Sequence, residues 1–492
     1  MTSHEFKITL SSTRVTCVID PRGRRRTLEA APIQRKPHLE TITVLEQWLK
    51  RWEWILKASD QGPILLVPDT FRVLGDNLWN LALNNDIGRE VIEACEQVAK
   101  LDEDSRKSIL LRISFEPDAS DLAALPWEFV RWPGHPPNEG FFLAAETNLV
   151  LGRYLEGFGD LAIRTSDLKV RALFVGLLPD KPEFWEQRKE FEEMLRKLSE
   201  IGDTLEIEKI LGWEPAAVAE LLAKLRADGR IVDVVHVVAV CEEAPNGPRL
   251  YLPDEGDPRQ WHGQDPRPVV RALAGDNTTR PGLVVLHLSD LRGTDPPAHF
   301  ERLAPSFVTA GIPAVLAMQY PMTHPFGQDF VYNFYRGLTN GKTIGEAVQA
   351  ARRALSFGRQ PNRHFGAPVL YMQSDADSSL VRMRTTAEMP FSVMPDAGSA
   401  LSELRLRDTA SDRPASIAQL LLTDAQLNIR DADTVGELQE WIRSVPWPDD
   451  LRTVWLVLQE RFRQKQDDRV QANIYSRWMG LVNDMLKEQG TQ

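Results

Sequence analysis

"IVDVVHVVAV", Ile231 to Val240, is an apolar run broken only by Asp233 and His236. A strand with one face in water alternates polar and apolar residues, whereas this one has no polar side. It therefore reads as a strand buried on both faces, the signature of a mostly parallel sheet with helices above and below.

The neighbouring segments have the pattern that such a sheet requires. Upstream, "VRALFVGLLP" from Val170 is a strand, and "PEFWEQRKEFEEMLRKL" from Pro182 is a helix with Phe184, Phe191, Met194, Leu195 and Leu198 on one face. "LEIEKI" is a further strand, and "EPAAVAELLAKLRADG" is a helix opened by proline and closed by glycine. Downstream, a loop over 245–263 leads to a short helix and the strand "GLVVLHLS", then to a helix near 300–310 and the strand "IPAVLAMQ". Two more helices follow, over 325–338 and from Thr343, and the strand "APVLYM" closes the unit. Thr343 and Glu346 stand at capping-box spacing. This β-α-β alternation predicts mostly parallel strands with helices on both faces.

Residues 1–165 predict a mixed α/β region, in which Phe6, Ile8 and Leu10 and then Val15, Cys17 and Ile19 alternate with polar residues like strands. "RGRRRT", between Pro21 and Thr27, reads as a hairpin tip with its arginines in solvent. Residues 166–373 form the α/β core, and 374–414 read as a linker rich in Ser, Asp, Thr and Pro. Residues 415–492 predict a helical bundle, with apolar stripes such as Val435, Leu438, Ile442 and Val445.

The 492 residues carry 58 Lys plus Arg against 70 Asp plus Glu, a net charge of −12 that argues against nonspecific phosphate binding, so no nucleic-acid partner is expected. Cys17, Cys95 and Cys241 are scattered and suit a reducing compartment. The first residues alternate like a strand and do not read as a signal peptide, and no apolar run approaches the ~20 residues that cross a bilayer. A cytoplasmic protein with no membrane association is expected.

Several phrases together resemble the CHAT family, whose caspase-like domains share a clan with caspases and separases. They are "LGDNLWNLAL", "LPWEFVRW", "VRALFVGLLP", "VDVVHVVAV", "GLVVLHLSD", "FVTAGIPAVLAMQYPM", "FVYNFYRGLTNGKTIGEAVQAARRAL" and "FGAPVLYM". The resemblance implies a caspase-like α/β fold and a peptidase chemistry in which a thiolate attacks the scissile bond and an imidazole serves it. Aligned on Val235 and His236, the position of the catalytic histidine falls on Val240. Aligned on Leu286, the position of the catalytic cysteine falls on Ser289. Neither residue can play the expected part, because valine transfers no proton and a serine hydroxyl without a base is a poor nucleophile. No catalytic residue is expected, and Val240 and Ser289 mark the vestigial positions.

Other residues lie near the same strand ends. His287 reads as a half-buried histidine bonded to a backbone carbonyl, or as the base of a Ser289 pair. Cys241 reads as a small buried hydrophobe, or as a displaced nucleophile. His236 reads as a hydrogen-bonded core group, and Glu242, Glu243 and Asp290 as rim charge. His236, Cys241, Glu242, His287 and Asp290 are thus the candidate lining of a crevice. His262, His299 and His324 show no metal-ligand spacing, and no metal or cofactor is expected. "GKT" at Gly341 lacks the rest of a phosphate loop and reads as a turn and a helix cap.

The C-terminal bundle resembles the effector-associated and death-like adaptor modules of bacterial conflict proteins, and Trp447, set between two prolines, is its candidate partner contact. The expected function is a catalytically inactive CHAT scaffold or adaptor in bacterial antiviral defence. It would bind protein partners through the bundle and take a partner peptide in the crevice. The alternatives are an atypical protease using Ser289 or Cys241, and a ligand sensor using the crevice.

Overall fold

The computed structural model describes residues 4–382 apart from 22–24, 51–67, 102–107, 135–139, 156–162, 164–165, 168, 213–214, 229, 245–246, 255–256, 258, 275–279, 291–302, 321, 323, 357–362 and 374–378, together with Met479. The chain divides into two compact units, Met1–Met383 and Arg384–Gln492. The helical bundle over 415–492, with Trp447, and most of the 374–414 linker fall outside the described residues. Where that linker segment is described, it is tied to the first unit: Ser379 bridges to Thr343, and Val381 and Arg382 pair with Ser166 and Asp167.

The first unit is built on one sheet of thirteen strands. They are β1 (His4–Leu10), β2 (Arg14–Pro21), β3 (Arg26–Pro32), β4 (Ile109–Phe115), β5 (Leu149–Tyr154), β6 (Val170–Leu177), β7 (Leu205–Leu211), β8 (Val234–Ala244), β9 (Gly247–Pro253), β10 (Trp261–Gln264), β11 (Leu283–Asp290), β12 (Ala314–Met318) and β13 (Pro368–Met372). Across the sheet they run β7-β6-β8-β11-β12-β13-β5-β4-β1-β2-β3, with β9 and β10 added beside the end of β8. The pairings from β7 to β12 and from β13 through β5 and β4 to β1 are parallel. Those of β1–β2, β2–β3, β8–β9, β9–β10 and β12–β13 are antiparallel. The architecture is α/β with a mostly parallel sheet, and the predicted N-terminal and core regions are continuous within it.

Helices cover the central strands on both sides. One face carries α1 (His38–Lys50), α2 (Pro68–Ala82), α3 (Asp86–Ala99), α4 (Trp185–Ser199), α8 (His324–Thr339) and α9 (Ile344–Ser356). The other carries α5 (Pro215–Ala227), α6 (Arg267–Ala274) and α7 (Ala304–Thr309). Strand β8 divides its side chains accordingly. Val234 and Val240 join the first cluster and Val235, Val237, Ala239 and Cys241 the second, which is why its sequence shows no polar side.

Two local readings differ in outcome. The Thr343 N–H donates to the Glu346 carboxylate and the Glu346 N–H to the Thr343 hydroxyl, closing a reciprocal cap on α9. The loop expected over 245–263 is instead largely a hairpin, β9 and β10. Leu250 and Leu252 are buried there while Tyr251 is half-buried, an alternation hidden by the glycines and prolines on either side.

The phrase "LPWEFVRW" has a structural job. Glu128, 1% exposed, accepts from Arg153 Nε at 3.1 Å and Nη2 at 2.8 Å, and from Gln319 Nε2 at 2.9 Å. Arg153 also donates to the carbonyls of Ala123 and Leu125, and Gln319 to that of Gly366. Beside them Arg352, fully buried, donates to the carbonyls of Leu151 and Pro368. This buried brace links β5, the end of β12, the turn before β13 and α9 through satisfied polar groups.

Candidate functional site

The central pair of parallel strands sets the site. In the β8–β11 pairing Val234 lies opposite Leu283 and the register runs without a break to Cys241 opposite Asp290. Val240 and Ser289, found by aligning two separate phrases, are direct partners in that register. They stand near the carboxyl ends of adjacent strands, the edge at which open α/β sheets place their ligands. Val240 is fully buried.

Val238 pairs with His287, and His236 lies one pleat further back. The His236 ring stacks on Phe174 at 4.7 Å and lies 5.9 Å from Tyr335 and 6.0 Å from His287. His236 Nδ1 is 3.1 Å from the Tyr335 hydroxyl, as expected of a bonded core group, yet its Nε2 has no partner. Burial holds His236 well below the ordinary histidine range, with the neighbouring His287 adding to the effect. Burial also pushes His287 down to about 4. Both rings are neutral at physiological pH.

His287 does not make the expected bond to a backbone carbonyl: its Nδ1 is buried and without a partner. His287 and Val238 form the floor of a pocket whose walls are Gln187, Glu190, Phe191 and Met194 of α4 and Met322, Gly327 and Gln328 at the start of α8. The pocket encloses about 50 Å3, room for a few water molecules. A second buried polar atom, Gln187 Oε1, also lacks a partner. Gly327 gives the ring its room, since a Cβ there would stand 3.3 Å from His287 Cε1.

The remaining sequence candidates divide. Cys241 belongs to the opposite face of the sheet, with Leu250 and Leu252, so the structure does not bring it together with His287. Glu242 lies against Gly263 of β10, where a Cβ would collide with its carboxylate, and it is not part of the pocket wall. Asp290 occupies the last position of β11. Burial raises the thiols of the other cysteines, Cys17 and Cys95, to about 12, which disfavours the thiolate. Among the described residues no cluster of His, Cys, Asp and Glu is placed to hold a metal.

Sequence reading missed the α4 wall of the pocket. Its signal was present: Gln187 interrupts the apolar stripe formed by Phe184, Phe191, Met194 and Leu198. A polar residue at a core position of a helix asks what it bonds, and the Gln187 carbonyl bonds nothing in the protein. Chemically the described site offers a neutral imidazole, with one donor and one acceptor nitrogen, the side-chain amides of Gln187 and Gln328, and a carboxylate.

A mostly parallel α/β sheet with a pocket beside the carboxyl ends of its central strands defines the class. The sequence model of the CHAT domain matches residues 72–441, so the chain belongs to the CHAT domain family. No curated protein matches the chain. Among solved structures it is similar to separase in the Saccharomyces cerevisiae separase–securin complex, with a TM-score of 0.31 and 12% identity over 65% of this chain and 20% of that one. It is also similar to the Drosophila initiator caspase Dronc, with a TM-score of 0.28 and 8% identity over 44% of this chain and 84% of that one. The match thus spans about one fifth of the separase chain. Among the described residues no helix is long and apolar enough to cross a membrane.

Proposed function

We propose that this CHAT protein is a caspase-like module that binds without cutting, a scaffold or adaptor for protein partners in the bacterial cytoplasm and in antiviral defence signalling. The observation that carries the reading is the pairing of Val240 with Ser289 at the strand ends. Cleavage at that edge needs a base beside a nucleophile, and the buried position opposite Ser289 holds an isopropyl group that can accept no proton. His287 is two residues from Ser289 on the same strand, but its pKa of about 4 makes it a weak base. A pocket lined by both polar and apolar side chains stands beside the pair, which favours retention of binding over loss of the whole site.

The C-terminal segment over 415–492, with Trp447, is the proposed partner-recruiting module, and the crevice is the place for a peptide segment of the partner. The test is labelling of the full chain with activity probes for serine and cysteine hydrolases. No covalent adduct at Ser289 or Cys241 is expected. An adduct that disappears in Ser289→Ala or Cys241→Ala would establish the protease alternative.

A further inference from the structure

We infer that Ser379–Arg382 is a latch, a short strap that leaves the first unit without unfolding it and so sets how far the chain beyond Arg382 reaches. The inference goes beyond the reading of the crevice as a binding site and does not depend on it.

Three observations carry it. The first is a short register. Ser379 bridges to Thr343, and Val381 and Arg382 lie beside Ser166 and Asp167 in a two-stranded sheet apart from the main one. The β8–β11 register, by contrast, runs without a break from Val234 to Cys241. A segment paired over so few residues opens locally while the core strands stay closed. The second is a single apolar anchor. Leu380 is fully buried in the core of the first unit. Its socket exists because Gly282, the residue before β11, has no side chain: a Cβ there would stand 3.2 Å from Leu380 Cδ2 and 3.1 Å from Ile163 Cγ2. Burial of that one leucine decides whether the strap is seated. The third is where the strap lies. It ends beside the start of the second unit at Arg384, and upstream of it β13 ends at Met372, next to Gln373, whose Nε2 donates to the Val308 carbonyl at 3.1 Å. Seated, the following chain leaves the first unit at Arg382. Released, it leaves at Gln373, and the residues 374–382 lend it at most about 30 Å of extra reach when extended. A tether that changes length changes the effective concentration of what it carries, and a partner that binds only the released form shifts the latch toward it.

The test uses the full chain and follows hydrogen exchange by mass spectrometry over peptides that cover the strap and β8, with and without low concentrations of urea. Strap amides are expected to exchange at least about tenfold faster than those of β8, at rates that urea hardly changes, because a local opening exposes little surface. β8 amides should quicken steeply with urea. Leu380→Ala should raise strap exchange at least about tenfold further and leave it insensitive to urea. If that variant does not fold, Gly282→Ala disturbs the same socket from the strand side and should act in the same direction. Small-angle X-ray scattering reads the reach. The largest dimension of Leu380→Asp should exceed that of the parent. Adding Ser166→Cys and Val381→Cys, neighbours in register and at a spacing that a disulfide spans, should restore the parent value until a reductant is supplied. Strap and β8 amides that exchange at one rate with one urea dependence would overturn the latch. So would strap exchange unchanged by both socket variants, or a largest dimension that stays the same in Leu380→Asp.

Discussion

Two buried polar regions of the same unit are handled in opposite ways. Around Glu128, the carboxylate, the Arg153 guanidinium and the Gln319 amide meet at 2.8 to 3.1 Å, and the donors left over reach backbone carbonyls. Around His287, the ring Nδ1 and the Gln187 carbonyl are buried without a hydrogen-bond partner, in residues that line a pocket. A satisfied network holds distant strands together, while unsatisfied groups are tolerated where a fold keeps them for something else. The difference teaches that burial alone does not separate structural from functional polar residues. Their hydrogen-bond partners do.

The largest effect is expected in the brace. Glu128→Gln leaves Arg153, 4% exposed, without its counter-charge, and the loss should be about 3–5 kcal/mol, read as a lower urea midpoint. Replacing both members with methionine should cost less than either single change. A loss under about 1 kcal/mol for Glu128→Gln would mean that the brace is not the structural half of the comparison.

The next effect is one of pH. His236 and His287 titrate below their unfolded value of 6.5, the latter at about 4. Between those limits the unfolded chain binds protons that the folded chain does not, so stability falls as pH drops from about 6.5 toward 4. Above 6.5 both states are neutral at these sites and the contribution vanishes. Urea unfolding at a series of pH values checks this, with His287→Leu reducing the slope. A slope unchanged by that variant would break the assignment.

His287→Leu should also sharpen the contrast at neutral pH. Removing an unpaired buried nitrogen should leave stability within about 1 kcal/mol of the parent or raise it, the reverse of the Glu128 result, and a loss above 2 kcal/mol would place His287 with the brace. The smallest change expected is that of Gly327→Ala. A helix gains about 0.5–1 kcal/mol from alanine over glycine, while the new methyl presses on His287 Cε1 at 3.3 Å. Unfolding should move by less than about 1 kcal/mol, read as the urea midpoint.

The fold was legible where one physical rule acts over many residues. The largely apolar run of β8 announced a strand buried on both faces, and the helix stripe from Phe184 to Leu198 announced a helix lying on the sheet. The adjacency of Val240 and Ser289 was legible because each is anchored by a strand phrase of its own, and the two meet in register. The β9–β10 hairpin was not legible, since its strands are short and crowded by glycine and proline. The brace was hidden for a different reason. Glu128, Arg153, Gln319 and Arg352 are far apart in sequence, and a charged residue in a strand or helix gives no local sign of a buried partner. Gln187 was hidden by its own helix, where a polar residue inside an apolar stripe is read as noise until the space opposite it is seen.

The direct test of binding without cutting is to incubate the full chain with a mixture of blocked peptides of varied sequence, separate protein from solution, and weigh both fractions by mass spectrometry. The predicted result is a subset of peptides retained with the protein and every peptide intact. Peptide fragments that accumulate with time and are absent with Ser289→Ala would contradict it.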